Sequence, residues 1–295
     1  MMIRGGTPST SGDRYQGIPR AAALALLLFV LATPALGAPT IQLRVVAFDS
    51  SGSVMAERTV DYRWMEANLP VLGDGVTHFY QQGPVFTDDP DGRWDPNETA
   101  NFKDRGAVKC TDLSDLAGLV GGMKPGDETM VHAIDGYHVE FGYTNVIAPD
   151  PRQGPIGICW FNGEEAAIGE RQGVGYPPDY YAGMRLVFLA DTSTNTRGEH
   201  VFGNSDMRAV MPADAIHLFD NLYPSTSGYG VKWIDEIRVY RGGYTGVKNE
   251  VVKSLTGDEG EEVPAAETPS HPQTTLPEFL AVAGFAGATL CLRRR

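Results

Sequence analysis

Lys124-Pro-Gly-Asp-Glu-Thr-Met-Val-His-Ala-Ile-Asp-Gly-Tyr-His-Val-Glu-Phe141 is the stretch on which the fold turns. Pro125-Gly126-Asp127 is turn chemistry. The run Thr129–Ile134, the dipeptide Asp135-Gly136 and the run Tyr137–Phe141 then spell a β-hairpin, because Asp-Gly takes the backbone conformation of a tight reversal. Alternation puts Tyr137, Val139 and Phe141 on one face and His138 and Glu140 on the other. Just upstream, Leu113, Leu116, Ala117 and Val120 recur at helical spacing from Thr111 until Gly121-Gly122 stops the pattern.

The same reading extends in both directions. Ile41–Phe48 and Val54–Val60 flank the turn Asp49–Gly52 as paired strands. A short helix follows at Tyr62–Leu69, with Asp61 placed to cap it and Pro70 to end it. Gly73–Lys103 is rich in Gly and Asp, with one apolar patch at Phe79–Phe86. Downstream, Ile156–Phe161 leads into the Asn162-Gly163 turn, Arg185–Ala190 is another strand, and Ala213–Leu222 has a helical composition. Val231–Tyr240 alternates and closes the domain. Many short strands with few helices predict a β-rich α+β domain.

Both ends of the chain carry sorting chemistry. Arg4, Arg14 and Arg20 precede the apolar run Ala21–Ala32, and Ala35-Leu36-Gly37 offers a small-residue cleavage site before Ala38. That order is a secretory leader. At the other end, Pro277-Glu278-Phe279 leads into uncharged Leu280–Leu292 and then three arginines. This end resembles the PEF-type sorting signals of archaeal surface proteins, which implies a sorting protease and a lipid or membrane attachment. The expected plan is a leader at 1–37, a hairpin and Gly/Asp-rich segment at 38–104, a core at 105–241, an acidic Pro/Thr linker at 242–275 and an anchor at 276–295. The expected location is the cell surface, held by the C-terminus.

The full chain has a net charge of −13. An acidic body excludes nucleic acid as a partner, because phosphates require Lys and Arg. Cys291 lies in the tail; Cys110 and Cys159, in the domain, either form one disulfide outside the cell or stand as two thiols. There is no Gly-x-Ser-x-Gly, P-loop or Cys-x-x-Cys, so serine-hydrolase and nucleotide chemistry have no support.

Five pieces in order carry a family resemblance: Thr111-Asp-Leu-Ser-Asp-Leu-Ala-Gly-Leu-Val with Lys124-Pro-Gly-Asp, Ile134-Asp-Gly-Tyr, Phe161-Asn-Gly-Glu, Gly183-Met-Arg-Leu-Val, and Val231-Lys-Trp-Ile-Asp-Glu-Ile-Arg-Val. Residues 105–240 thereby resemble the oxidoreductase molybdopterin-binding domain of sulfite-oxidase fold. Arg105 and Lys109 precede the helix where that family handles an anionic cofactor or substrate, so the resemblance implies an anion there; read as residues alone, the alternative is surface charge. Catalytic members hold molybdenum through a Cys thiolate upstream of the helix, whereas Val71–Lys109 contains no Cys and Cys110 falls too late. The expectation is therefore a surface-held binding module on this fold, with Cys110 catalytic only if molybdenum is bound. The alternatives are an exported molybdopterin-dependent oxidoreductase and a calcium-stabilised structural or adhesive surface protein.

Two further groups are candidates. His78, Tyr80 and His200 sit in polar-aromatic clusters of the kind that line a ligand pocket. Asp89, Asp91, Asp95 and Glu98 place carboxylates around Gly92, and calcium takes several such oxygens from a loop.

Overall fold

The computed structural model describes residues 39–192, 195–246 and 248. The expected leader and the C-terminal tail lie outside the described residues, as does all but the start of the linker. The chain opens with β1 (Gln42–Phe48) and β2 (Val54–Asp61), paired antiparallel, then α1 (Tyr62–Asn68). The Asp61 carboxylate accepts from the Trp64 amide at 2.7 Å, so this residue caps the helix as its position predicts.

The Gly/Asp-rich stretch holds β3 (His78–Gln82), and β4 (Phe102–Asp112) follows as the longest strand described. Asp112 ends that strand and caps α2 (Leu113–Gly118), accepting from Ser114 N at 2.8 Å. The helix is thus shorter at both ends than its apolar spacing suggests. The hairpin appears as β5 (Glu128–Ala133) and β6 (His138–Gly142), with Val131 opposite Val139 and His132 opposite His138.

Next come α3 (Tyr143–Ile147), β7 (Ile156–Asn162), β8 (Arg185–Phe188), β9 (His200–Phe202) and α4 (Asn204–Val210). The helix expected over 213–222 is not formed. One 3₁₀ turn at Ala213–Ala215 is followed by a two-stranded ribbon, β10 (Leu218–Phe219) and β11 (Tyr223–Pro224). Asp220 and Asn221 between them have φ of 50° and 54°, a left-handed pair that reverses the chain and breaks a helix. The chain closes with β12 (Ile234–Tyr240).

Two five-stranded mixed sheets result, in the orders β2-β1-β12-β5-β6 and β8-β7-β4-β3-β9. The terminal strands β1 and β12 lie side by side in parallel, so the two ends of the domain are locked into one sheet. Leu43, Val45 and Ile237 of the first sheet and Ile158, Trp160 and Phe188 of the second share one buried cluster. Cys110, Cys159 and Val187 point the other way, into a second cluster with Phe79 and Tyr180. The second sheet is therefore covered on both faces, and every charge inside it calls for a partner. All described residues fall in one compact unit, a β-rich α+β domain.

Candidate anion-binding pocket

The second sheet carries an unusual load of charge. In β4 the sequence Lys103-Asp104-Arg105-Gly106 interrupts the apolar run, and Arg185 opens β8 within Met-Arg-Leu-Val-Phe. Arg105 and Arg185 are both buried, at 7% and 2% exposure. They line one cavity of about 360 Å³ together with Lys103, Asp104, Glu170, Lys232, Gly169, Ser227 and Gly230. Four cationic side chains thus face two carboxylates.

The two guanidiniums are held differently. Arg105 donates from Nε to Gln81 Oε1 at 2.6 Å and from Nη2 to the Ser227 carbonyl at 3.2 Å. Gly230 makes room for it, since a Cβ there would lie 2.9 Å from Arg105 Nη2. Arg185 has Nε and Nη1 buried with no hydrogen-bond acceptor from the protein. Burial pushes the Arg105 guanidinium well below its ordinary pKa, and the neighbouring Arg185 charge adds to this. Burial lowers Arg185 as well. Guanidinium is so strong a base that both remain cations. Burial also raises the Tyr180 hydroxyl to about 12, and that hydroxyl has no partner either.

The carboxylates are tied down. Asp104 accepts from Gly106 N at 2.7 Å, from Ala167 N at 2.7 Å and from His78 Nδ1 at 2.9 Å. Glu170 accepts from Lys232 Nζ at 2.8 Å. Neither caps Arg185 in the way its open donors require.

Of the residues singled out from the sequence, Arg105 lies in this pocket. His78 reaches it only through Asp104, and its Nε2 lies 3.7 Å from Glu164. Tyr80 packs near His78 and Phe102. His200 lies across β3 against Phe79, with Nδ1 2.8 Å from the Ala190 carbonyl. Lys109 lies over the Phe161 ring, 5.1 Å from its centroid. The five are thus not one cluster. Arg185, Lys103, Lys232 and Glu170 were not anticipated. The available signal was a lone arginine in an otherwise apolar strand.

The acidic loop is dispersed. Asp89 accepts from Asp91 N, and Asp91 is 3.6 Å from Arg208. Asp95 Oδ2 accepts from Gln82 Nε2, Thr99 N and Ala100 N, while Glu98 is buried against α4 and accepts from Asp206 N. Asp89 bonds within the loop, Asp95 reaches β3 and the Thr99 and Ala100 amides, and Asp91 and Glu98 turn to α4. Among the described residues no group of three or more His, Cys, Asp or Glu side chains could hold a metal ion.

Cys110 and Cys159 form a disulfide, and both are fully buried. Cys110 therefore offers no thiolate. The arrangement can bind and orient an anion by charge and hydrogen bonds. The chain matches no family model, no curated protein and no solved structure.

Proposed function

We propose that this chain is an exported, surface-held binding module whose ligand is a small anion taken into the Arg105–Arg185 pocket. The observation that carries this reading is Arg185. A buried charge without hydrogen-bond partners costs several kcal/mol unless something compensates it. The second buried guanidinium, Arg105, is hydrogen-bonded but adds its charge nearby, and an oxyanion between the two offers acceptors to the open donors of Arg185 at short range.

Charge narrows the ligand class. With Lys103, Arg105, Arg185 and Lys232 against Asp104 and Glu170, a dianion brings the site to neutrality. Sulfate, phosphate or a ligand ending in such a group fits. The resemblance of residues 105–241 to the molybdopterin-binding domain is consistent with this, because that family handles an anionic cofactor. The donors fit the anionic part of such a group. The disulfide at Cys110 does not fit a thiolate ligand to molybdenum, so the reading is binding rather than oxidoreductase chemistry. A disulfide also suits the oxidising exterior to which the leader at 1–37 and the anchor at 276–295 point.

The test is calorimetric titration of the purified protein with sulfate and phosphate, in wild type and Arg185→Met. Binding in wild type and its loss in a folded Arg185→Met protein is the expected result. Equal heats in the two proteins would overturn the assignment.

A further inference from the structure

Glu170 stands at the mouth of the pocket on the segment 163–173 that joins β7 toward β8. The segment is pinned on both sides of it. Ala167 N donates to Asp104 Oδ2, Gln172 N donates to Glu165 at 2.6 Å, and the buried Gln172 side chain donates to the Asp104 carbonyl at 2.7 Å. Between these anchors the chain turns at Gly169, whose φ is +92° and around which nothing lies within 4 Å of an added Cβ. The tip reaches the body through the Glu170–Lys232 ion pair.

The Glu170 side chain is 60% exposed, while the charges it faces are not. Its carboxyl sits below the ordinary value. Burial pulls it upward, and Lys232, Arg185 and Arg105 together more than reverse that. It therefore senses both buried guanidiniums without bonding to either. Asp104, the other carboxylate, is consumed by His78, Gly106 and Ala167. Glu170 is the anion whose charge any incoming ligand meets at the entrance.

We propose that Glu170 sets the charge selectivity of this pocket, admitting small singly or doubly charged anions and disfavouring more highly charged ones. This rests on the anion-binding reading above. The repulsion grows in proportion to ligand charge, so Glu170 trims the advantage that the four cations give to ligands of higher charge. Without Glu170 the same cations would present three net positive charges and favour polyanions. A resident carboxylate is a device for specificity through disfavoured competitors rather than through added contacts to the favoured one.

The experiment compares nitrate, sulfate and pyrophosphate as ligands of the full-length protein, with Glu170→Gln and Glu170→Asp beside wild type. The expected result for Glu170→Gln is tighter binding that grows with ligand charge. Solvent at the rim moderates the effect, so the gain is about threefold for nitrate, about tenfold for sulfate and larger for pyrophosphate. Glu170→Asp keeps the charge and should stay near wild type. If Glu170 only holds the loop in place, Glu170→Gln weakens all three ligands by a similar factor, which would overturn the proposal and leave the pocket intact. An unchanged affinity series would do the same. Absence of binding by any of these proteins would remove the anion pocket itself, and the role of Glu170 with it.

Discussion

Cys110 and Cys159 face one another across β4 and β7 and are joined by a disulfide that lies wholly inside the second sheet. The bond sits on the face opposite Ile158 and Trp160, among Phe79, Tyr180 and Val187. It fixes the strand that carries Lys103, Asp104 and Arg105 to the strand next to the one opened by Arg185.

The bond closes a sequence separation of 49 residues. A cross-link of that length restricts the unfolded chain by about 4 kcal/mol in the chain-entropy model. Cys110→Ser with Cys159→Ser is expected to lower unfolding free energy by about 2–4 kcal/mol, read from urea melts. Alkylation of the native protein should label neither sulfur. Ready labelling of Cys110 without denaturant would contradict the buried bond.

Gly106 interrupts β4 at φ +85°, and a Cβ there would fall 2.4 Å from Asn162 Oδ1. Asn162 is itself buried and donates to the Gly173 carbonyl. Gly106→Ala is therefore both conformationally strained and sterically blocked. A cost above about 2 kcal/mol is expected, because the strain and the clash add. The substitution should also weaken anion binding, since the Gly106 amide orients Asp104 beside Arg105. A thermal melt within a degree of wild type would show that β4 tolerates the Cβ.

The parts of the fold that announced themselves are those where local chemistry and tertiary structure agree. Asp135-Gly136 reverses the β5–β6 hairpin, Asp61 caps α1, and the alternation expected over 231–240 becomes β12 from Ile234 onward, after a left-handed Trp233. The pocket hid for a physical reason. β4 reads Phe-Lys-Asp-Arg-Gly-Ala-Val-Lys, and no alternation survives four charges and a glycine. Lys103, Asp104 and Arg105 among them line the cavity, and a rule that reads strands from apolar alternation fails there. Arg185 was visible as a charge within an apolar strand. Its convergence with Arg105 was not, because 79 intervening residues fold back through β7 before the two meet. The ribbon at 218–224 was hidden because its strands are two residues each, too short to show a period.

Asp127 gives the domain a readable acid limit. Its carboxylate accepts from Lys124 N at 2.9 Å, Gly242 N at 3.0 Å and Arg241 Nη1 at 2.7 Å. Burial alone would raise its pKa, but the bonds from Gly242, Arg241 and Lys124 outweigh it and hold the group below the ordinary aspartate value. A folded-state pKa lower than the unfolded one stabilises the fold above the unfolded value and is lost as pH falls through the folded value. Stability should thus decline below about pH 4, the ordinary aspartate range. Asp127→Asn is expected to cost about 1–2 kcal/mol at pH 7 and to flatten that decline. Parallel acid profiles for the two proteins would assign the decline to other carboxylates.

Gln81 is the residue through which β3 serves the pocket. It is fully buried, donates from Nε2 to the Thr226 carbonyl at 2.8 Å and accepts from Arg105 Nε at 2.6 Å. It therefore orients one guanidinium by reaching from one strand of the sheet to the 3₁₀ turn at Thr226–Tyr229. Gln81→Leu keeps the approximate volume but strips an acceptor from a buried cation. Bonds to charged groups contribute about 1.5–3 kcal/mol, so a loss of that order is expected in denaturant melts. Gln81→Glu supplies the acceptor again and adds a charge opposite Arg105. It should recover much of the stability lost in Gln81→Leu while weakening sulfate binding, because the new carboxylate neutralises a cation that the ligand would otherwise meet. A Gln81→Glu protein that is as unstable as Gln81→Leu and binds sulfate as wild type does would separate Gln81 from the pocket. The opposite split, restored stability with weakened binding, ties the two together through Arg105.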